Sequence, residues 1–239
     1  FLRNWPREQK GIYPRELLEI ESGRENVAGV ELMSFQEVLK SIPFWLLTVC
    51  QVISAATIYS LITWLPSFLT SDLQLSFARM GNLLFVGYLL ATALSFAVSY
   101  IADRTMKRAL TAAWVSLFFV FVVLPGAMLL PPVGSALLLS SLTAVCISSG
   151  ALQGALIHTL IRPEAIARGT GIYIGVGTFV SAAGPTIFGL LINALDGQYW
   201  GGFLFLALLN AVGAGCFFAL HRMSSKAIRA AAVLHQPAR

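Results

Sequence analysis

From Ala109 to Ile161 the chain carries no Asp, Glu, Lys or Arg. As one helix that run would reach roughly 80 Å at about 1.5 Å per residue, far beyond a hydrocarbon core of about 30 Å. It must turn back on itself, and Pro131-Pro132 is the natural break, because neither proline can donate to a helix ladder. A spanning helix needs about 20 apolar residues. Six charge-free stretches meet that need: Phe44 to Leu65, Gly81 to Ile101, Ala109 to Leu130, Val133 to Ile161, Gly169 to Leu195 and Trp200 to Leu220. Only 11% of the residues are charged, against about 25% in an ordinary soluble domain. The expected fold class is an all-α membrane protein with six transmembrane helices in residues 44–221.

Residues 1–33 are polar, mixed in charge and interrupted by Pro6 and Pro14, and they read as a connecting segment in water. Ser34 and Glu37 then form the pattern of a capping box, predicting a short helix that ends before Pro43. Phe35, Val38, Leu39 and Ile42 give it an apolar side, expected to lie on the membrane surface as the end of a 1–43 cytoplasmic segment. The first forty-odd residues are too polar to read as the apolar core of a signal peptide, so none is expected in them. The opening residue is Phe1 and not methionine, so the chain reads as a fragment, a processed product or the product of a partial gene. Of the 16 Lys and Arg, all but Arg79 fall on one side of a six-span threading. That bias predicts cytoplasmic termini, with residues 222–239 as a cytoplasmic tail. It also explains the net charge of +5 without nucleic acid as a partner. Six spans with both ends inside have the parity of an inverted three-plus-three repeat.

The residue types exclude several kinds of chemistry. There are no paired carboxylates, no metal-spaced His/Cys cluster, no nucleophile elbow and no phosphate loop, so neither an enzyme nor a cofactor or metal is expected. Cys50, Cys146 and Cys216 each lie within an apolar run and read as small hydrophobes. Asp72, Glu164 and Asp196 stand singly in loops as solvated or capping residues.

The spans differ in their faces. Gly87, Ala91, Ser95 and Ser99 form a small-residue stripe on the second, and Gly171 with Gly175, then Gly177 with Ser181, do so on the fifth, which should bend at Gly184-Pro185. The third and sixth are bulky and apolar all round, which suits helices that face lipid. On the first, Thr48, Gln51, Tyr59 and Thr63 share one side, and the fourth adds Ser149 and Gln153 one turn apart. Polar groups at membrane depth need partners or water, so these faces turn either to a wet cavity or to hydrogen bonds between helices. His158, near the end of the fourth span, is either a proton relay or an interfacial hydrogen-bonder.

The loop after the second span reads Ser99-Tyr100-Ile101-Ala102-Asp103-Arg104-Thr105-Met106-Lys107-Arg108. It resembles the Gly-x-Leu-Ala-Asp-Arg-x-Gly-Arg-Arg signature of the major facilitator superfamily, found between the second and third helices of each six-helix half. Ser99 and Met106 stand where glycines are usual, and Met106 predicts a looser turn. Trp64-Leu65-Pro66-Ser67-Phe68-Leu69, the Arg168-Gly169-Thr170-Gly171 start of the fifth span and Gly184-Pro185 are similar to one branch, the anion:cation symporters.

The resemblance implies the C-terminal half of a twelve-helix bundle in the plasma or bacterial inner membrane. It implies alternating-access uptake of a small organic anion, such as a sugar acid or aromatic carboxylate, coupled to a proton or another cation. Gln51, Tyr59, Ser149 and Gln153 are then the candidates for substrate contact, and Asp103, Arg104, Lys107 and Arg108 for gating. No span carries Lys or Arg, so the anion's charged partner is expected from a missing N-terminal half or a second chain. Asp103 is the residue that topology leaves unexplained, and a helix N-terminus is its natural partner. The alternative is a non-transporting six-helix membrane fragment with an interaction or regulatory role.

Overall fold

The protein, in a computed structural model, is described over residues 13–16, 34–161 and 165–234, with side chains placed as far as Met223. The rest of the polar segment 1–33, Arg162 and Glu164, and the last five residues lie outside the described residues. The architecture is all-α. A short helix α1 (Phe35–Lys40) leads into α2 (Ile42–Ser67), which continues as a π-helical turn, Phe68–Asp72. Next come α3 (Phe77–Thr105), α4 (Arg108–Met128), α5 (Pro132–Ser141) and α6 (Thr143–His158). The last elements are α7 (Ile166–Ser181), α8 (Ala183–Ala194) and α9 (Trp200–Leu234). By length and composition six rods can cross a membrane: Ile42–Asp72, Phe77–Thr105, Arg108–Met128, Pro132–His158, Ile166–Ala194 and Trp200–Met223.

The breaks have local causes. The Ser34 N–H donates to Glu37 Oε2 at 2.7 Å, closing the capping box of α1. That helix does not simply lie on a surface: Val38 is fully withdrawn into the core, where Phe35 and Leu39 pack against it. Pro66 removes a ladder donor near the end of α2, and the chain widens into the π-turn, with the Leu73 N–H reaching the Phe68 carbonyl at 3.1 Å. The fourth span divides at Leu142, beside a run of hydroxyls that bond back to the main chain. Ser141 Oγ donates to the Leu137 carbonyl at 2.6 Å and Thr143 Oγ1 to that of Ser140 at 2.7 Å, and such back-bonding bends helices. The fifth divides at Ala182, three residues ahead of Pro185, whose ring conflicts with the carbonyl of Ser181. The sixth runs past its expected end, so the first part of the expected tail, to Leu234, is helical.

Two apolar clusters fill the bundle. One contains Leu61, Leu65, Phe119, Leu139, Phe188 and Phe203, and the other Phe44, Leu47, Ala112, Leu152, Ile157 and Phe217. Along each span the clusters occupy opposite ends. The third and sixth spans differ from the expectation of lipid-facing rods. Each turns one face inward, with Phe119 and Val123 on α4 and Phe203, Leu206 and Phe217 on α9 buried, and Trp114 meets Phe218 edge-on. Aromatic bulk suits protein and lipid alike, so composition alone did not separate the two faces.

Candidate functional site

Between the two clusters every span contributes a buried hydroxyl or amide. These are Ser54 and Thr57 on the first, Ser95 on the second, Ser116 on the third, Ser148 and Ser149 on the fourth, Ser181 on the fifth and Asn210 on the sixth. The result is an uncharged polar layer at mid-depth, bounded on both sides by hydrocarbon. Its groups must bond to one another, to their own main chain or to a guest, because lipid offers no hydrogen bonds.

Ser54, Thr57 and Asn210 bond within the layer, while Ser95, Ser148 and Ser181 donate to carbonyls of their own helices. Tyr173 on α7 lies between two glutamines, its hydroxyl 2.7 Å from Gln153 Oε1 and 3.0 Å from the Gln51 amide. The phenol has one proton. Given to Gln153 at the shorter distance, it leaves the phenolic oxygen to accept from Gln51, whose amide then presents its Nε2; the network decides that orientation. Gln153 Nε2 donates in turn to Ser54 Oγ at 3.0 Å. One chain of bonds thus ties α2, α6 and α7 together. A second tie joins the first and sixth spans, where Asn210 Nδ2 donates to Thr57 Oγ1 at 3.0 Å and to the Leu206 carbonyl at 2.9 Å. Gln51 fits against α7 because residue 177 is glycine: a Cβ there would strike the Gln51 side chain.

Of the residues expected at a substrate site, Gln51 and Gln153 are therefore brought together through Tyr173. Gln153 is fully buried, whereas Gln51 is partly open. Ser149, one turn from Gln153, is buried at the same depth, and its hydroxyl has no protein partner among the described residues. Tyr59 lies outside the network on the exposed side of α2. His158 is exposed at the end of α6. Tyr173, Ser54, Thr57 and Asn210 were not anticipated. A phenol and an amide within apolar spans were the available signals, since each needs a partner at that depth.

The loop 103–108 closes one end of the bundle. Arg108 donates from Nε and Nη2 to Asp103 Oδ1 at 3.3 and 3.2 Å, so a guanidinium holds the carboxylate, and no backbone N–H does so among the described residues. Arg104 lies over the Tyr100 ring, 5.9 Å from its centroid, and donates to the phenol oxygen at 3.1 Å. The turn is not looser for lacking glycine. Met106 adopts the left-handed conformation, φ 55° and ψ 15°, that a glycine would take without strain.

At the other end, Trp64 Nε1 donates to the Pro185 carbonyl at 2.7 Å and its ring stacks on Phe188. Gly184 meets Ala56 so closely that a Cβ would lie 3.0 Å from the Ala56 carbonyl oxygen. The Trp-Leu-Pro segment and the Gly-Pro pair are thus one contact between the first and fifth spans.

Six apolar helices around an uncharged polar layer, closed by a basic loop, define an integral membrane protein built as a transporter half-bundle. The family model described as Major Facilitator Superfamily matches residues 3–185, and the chain belongs to that superfamily. No curated protein matches the chain.

Proposed function

We propose that this membrane transporter chain acts as one six-helix half of an alternating-access carrier for a small organic anion, a sugar acid or an aromatic carboxylate, driven by a proton or another cation. The observation that carries the reading is the mid-depth polar layer without a single charge. It offers neutral donors and acceptors suited to a substrate's hydroxyl groups, and the partly open Gln51 and the Ser149 hydroxyl, unpaired among the described residues, belong to it. A carboxylate at that depth needs a cation as well. The complementary half supplies that cation and the coupling group. Tyr59 lines the path, and Gln153 acts through Tyr173 to hold Gln51. The Trp64–Pro185 contact supports the organic-anion branch, since the two segments that resemble it meet there. The basic loops face the cytoplasm of a plasma or bacterial inner membrane, and Asp103, Arg104, Lys107 and Arg108 belong to the gate.

Reconstitution in proteoliposomes with an imposed proton gradient tests the reading. The chain alone gives no uptake of a labelled sugar acid or aromatic carboxylate, and the chain paired with a complementary six-helix half does. Uptake by the chain alone overturns the need for a second half. A working pair that ignores both classes of acid overturns the substrate.

A further inference from the structure

A groove of about 450 Å³ runs between α3, α4 and the fourth span, within the range of about 300–1,000 Å³ typical of ligand sites. Its walls include Leu94, Val98, Trp114, Phe118, Leu138 and Val145. Leu94, Trp114 and Phe118 are at least half exposed, so the groove is open at the side of the bundle. The hydroxyls of its lining, Thr111 and Ser141, are turned away from a guest. Thr111 Oγ1 donates to the Lys107 carbonyl at 3.2 Å and Ser141 Oγ to the Leu137 carbonyl at 2.6 Å. Apart from the Trp114 indole N–H, the side chains of the lining offer a polar solute no free donor, whereas a hydrocarbon chain would lose little by entering.

One end of the groove is basic. Ile101 and Thr111 line it, and the loop between them carries Arg104, Lys107 and Arg108 against the single acid Asp103. Arg108 is held by that acid, while Arg104 and Lys107 are exposed and paired with no carboxylate among the described residues. Lys107 is also the N-cap of α4, with no side-chain cap, so the free N–H groups of a long helix open at the same place. Apolar walls leading to unpaired bases at a membrane surface are complementary to one kind of molecule. We infer that this groove is a site for an anionic phospholipid, with one acyl chain along Trp114 and Phe118 and the phosphate at Lys107 and Arg104. Bound there, the lipid fills the seam between the second and third spans and neutralises the loop.

Trp114 provides the readout. The full chain is placed in phosphatidylcholine vesicles containing an equal small fraction of chain-brominated lipid, either phosphatidylglycerol or phosphatidylcholine. The Trp114 contribution is the fluorescence lost in Trp114→Phe. Brominated phosphatidylglycerol is expected to quench it several-fold more than brominated phosphatidylcholine. Lys107→Gln lowers that preference roughly fivefold, the effect of about one basic residue at an anionic surface, and Arg79→Gln leaves it unchanged. Should Lys107→Gln fold poorly, raising the ionic strength on the unaltered chain must lower the preference in the same sense. Equal quenching by both lipids overturns the headgroup site. Absence of quenching overturns the groove as a lipid site, because protein then covers it.

Discussion

Over 18-residue apolar stretches the fourth and fifth spans have nearly the same mean hydropathy, 1.7 and 1.6, yet 67% of that stretch is buried within the chain in the fourth and only 22% in the fifth. Hydropathy reports that a segment can cross a membrane and does not say what it faces there. The contrast recurs within the fifth span itself. Gly177 and Gly184 are closed against Gln51 and Ala56 of the first span, whereas a Cβ at Gly171 or Gly175 would meet nothing within 4 Å. Two glycine rows on one rod therefore belong to different surfaces. One is committed to this chain, and the other is left open at membrane depth.

The sharpest way to break this distinction is to add the same methyl group to each row. Gly184→Ala forces a Cβ into the Ala56 backbone and is expected to destabilise the folded chain by about 1–3 kcal/mol. Gly175→Ala sits in open space within α7 and is expected to stabilise it by up to about 1 kcal/mol, through helix propensity alone. Thermal unfolding in detergent measures both. Shifts of the same sign would abolish the distinction between the rows.

Tyr173→Phe probes the committed surface without changing its shape. It removes the hydroxyl that joins Gln51 to Gln153 and leaves both amides short of a partner. Hydrogen bonds between membrane helices average about 0.6 and reach about 1.7 kcal/mol, so a loss of about 1–2 kcal/mol is expected in the same unfolding measurement. A shift indistinguishable from zero would mean that the glutamines already bond elsewhere.

These contrasts mark how far the sequence can be read. The six rods and the turn at Pro131-Pro132 follow from composition within short windows, and so they were legible. The loop signature was legible for the same reason, since its residues are contiguous. The tie between Tyr173 and Gln51 joins residues 122 positions apart. It depends on the register of three helices, which no local pattern encodes. Asn210 was passed over because its neighbours are apolar, although an amide in mid-span already signals a partner. The inward faces of the third and sixth spans were not visible either, since phenylalanine favours lipid and protein interior alike.

On the open side, effects should be smaller. Met106 holds a left-handed conformation that costs a side-chain-bearing residue roughly 1–2 kcal/mol. Glycine relieves that strain but gives the unfolded chain more freedom, an offset of about 0.4–1 kcal/mol. Met106→Gly is therefore expected to raise stability by about 0.5–1 kcal/mol in thermal unfolding. A loss would show that the freedom glycine gives the unfolded chain outweighs the strain it relieves.

Asp103→Asn should change the stability of the chain least. The Asp103 side chain is 66% exposed and its ion pair to Arg108 lies at the surface, where such pairs contribute about 0–1 kcal/mol. The proposed gating role requires a different outcome in a complete transporter. There the substitution would remove the only acid among the bases of the loop, and with it any difference in how that loop binds the complementary half in the inward and outward states. Alkylation of single cysteines placed on either side of the path would then report a shifted balance of states at nearly unchanged melting temperature. A stability loss as large as that of Gly184→Ala would move Asp103 to the committed surface. Unaltered alkylation together with unaltered uptake would leave the Asp103–Arg108 pair with only a local role, closing the turn between the second and third spans.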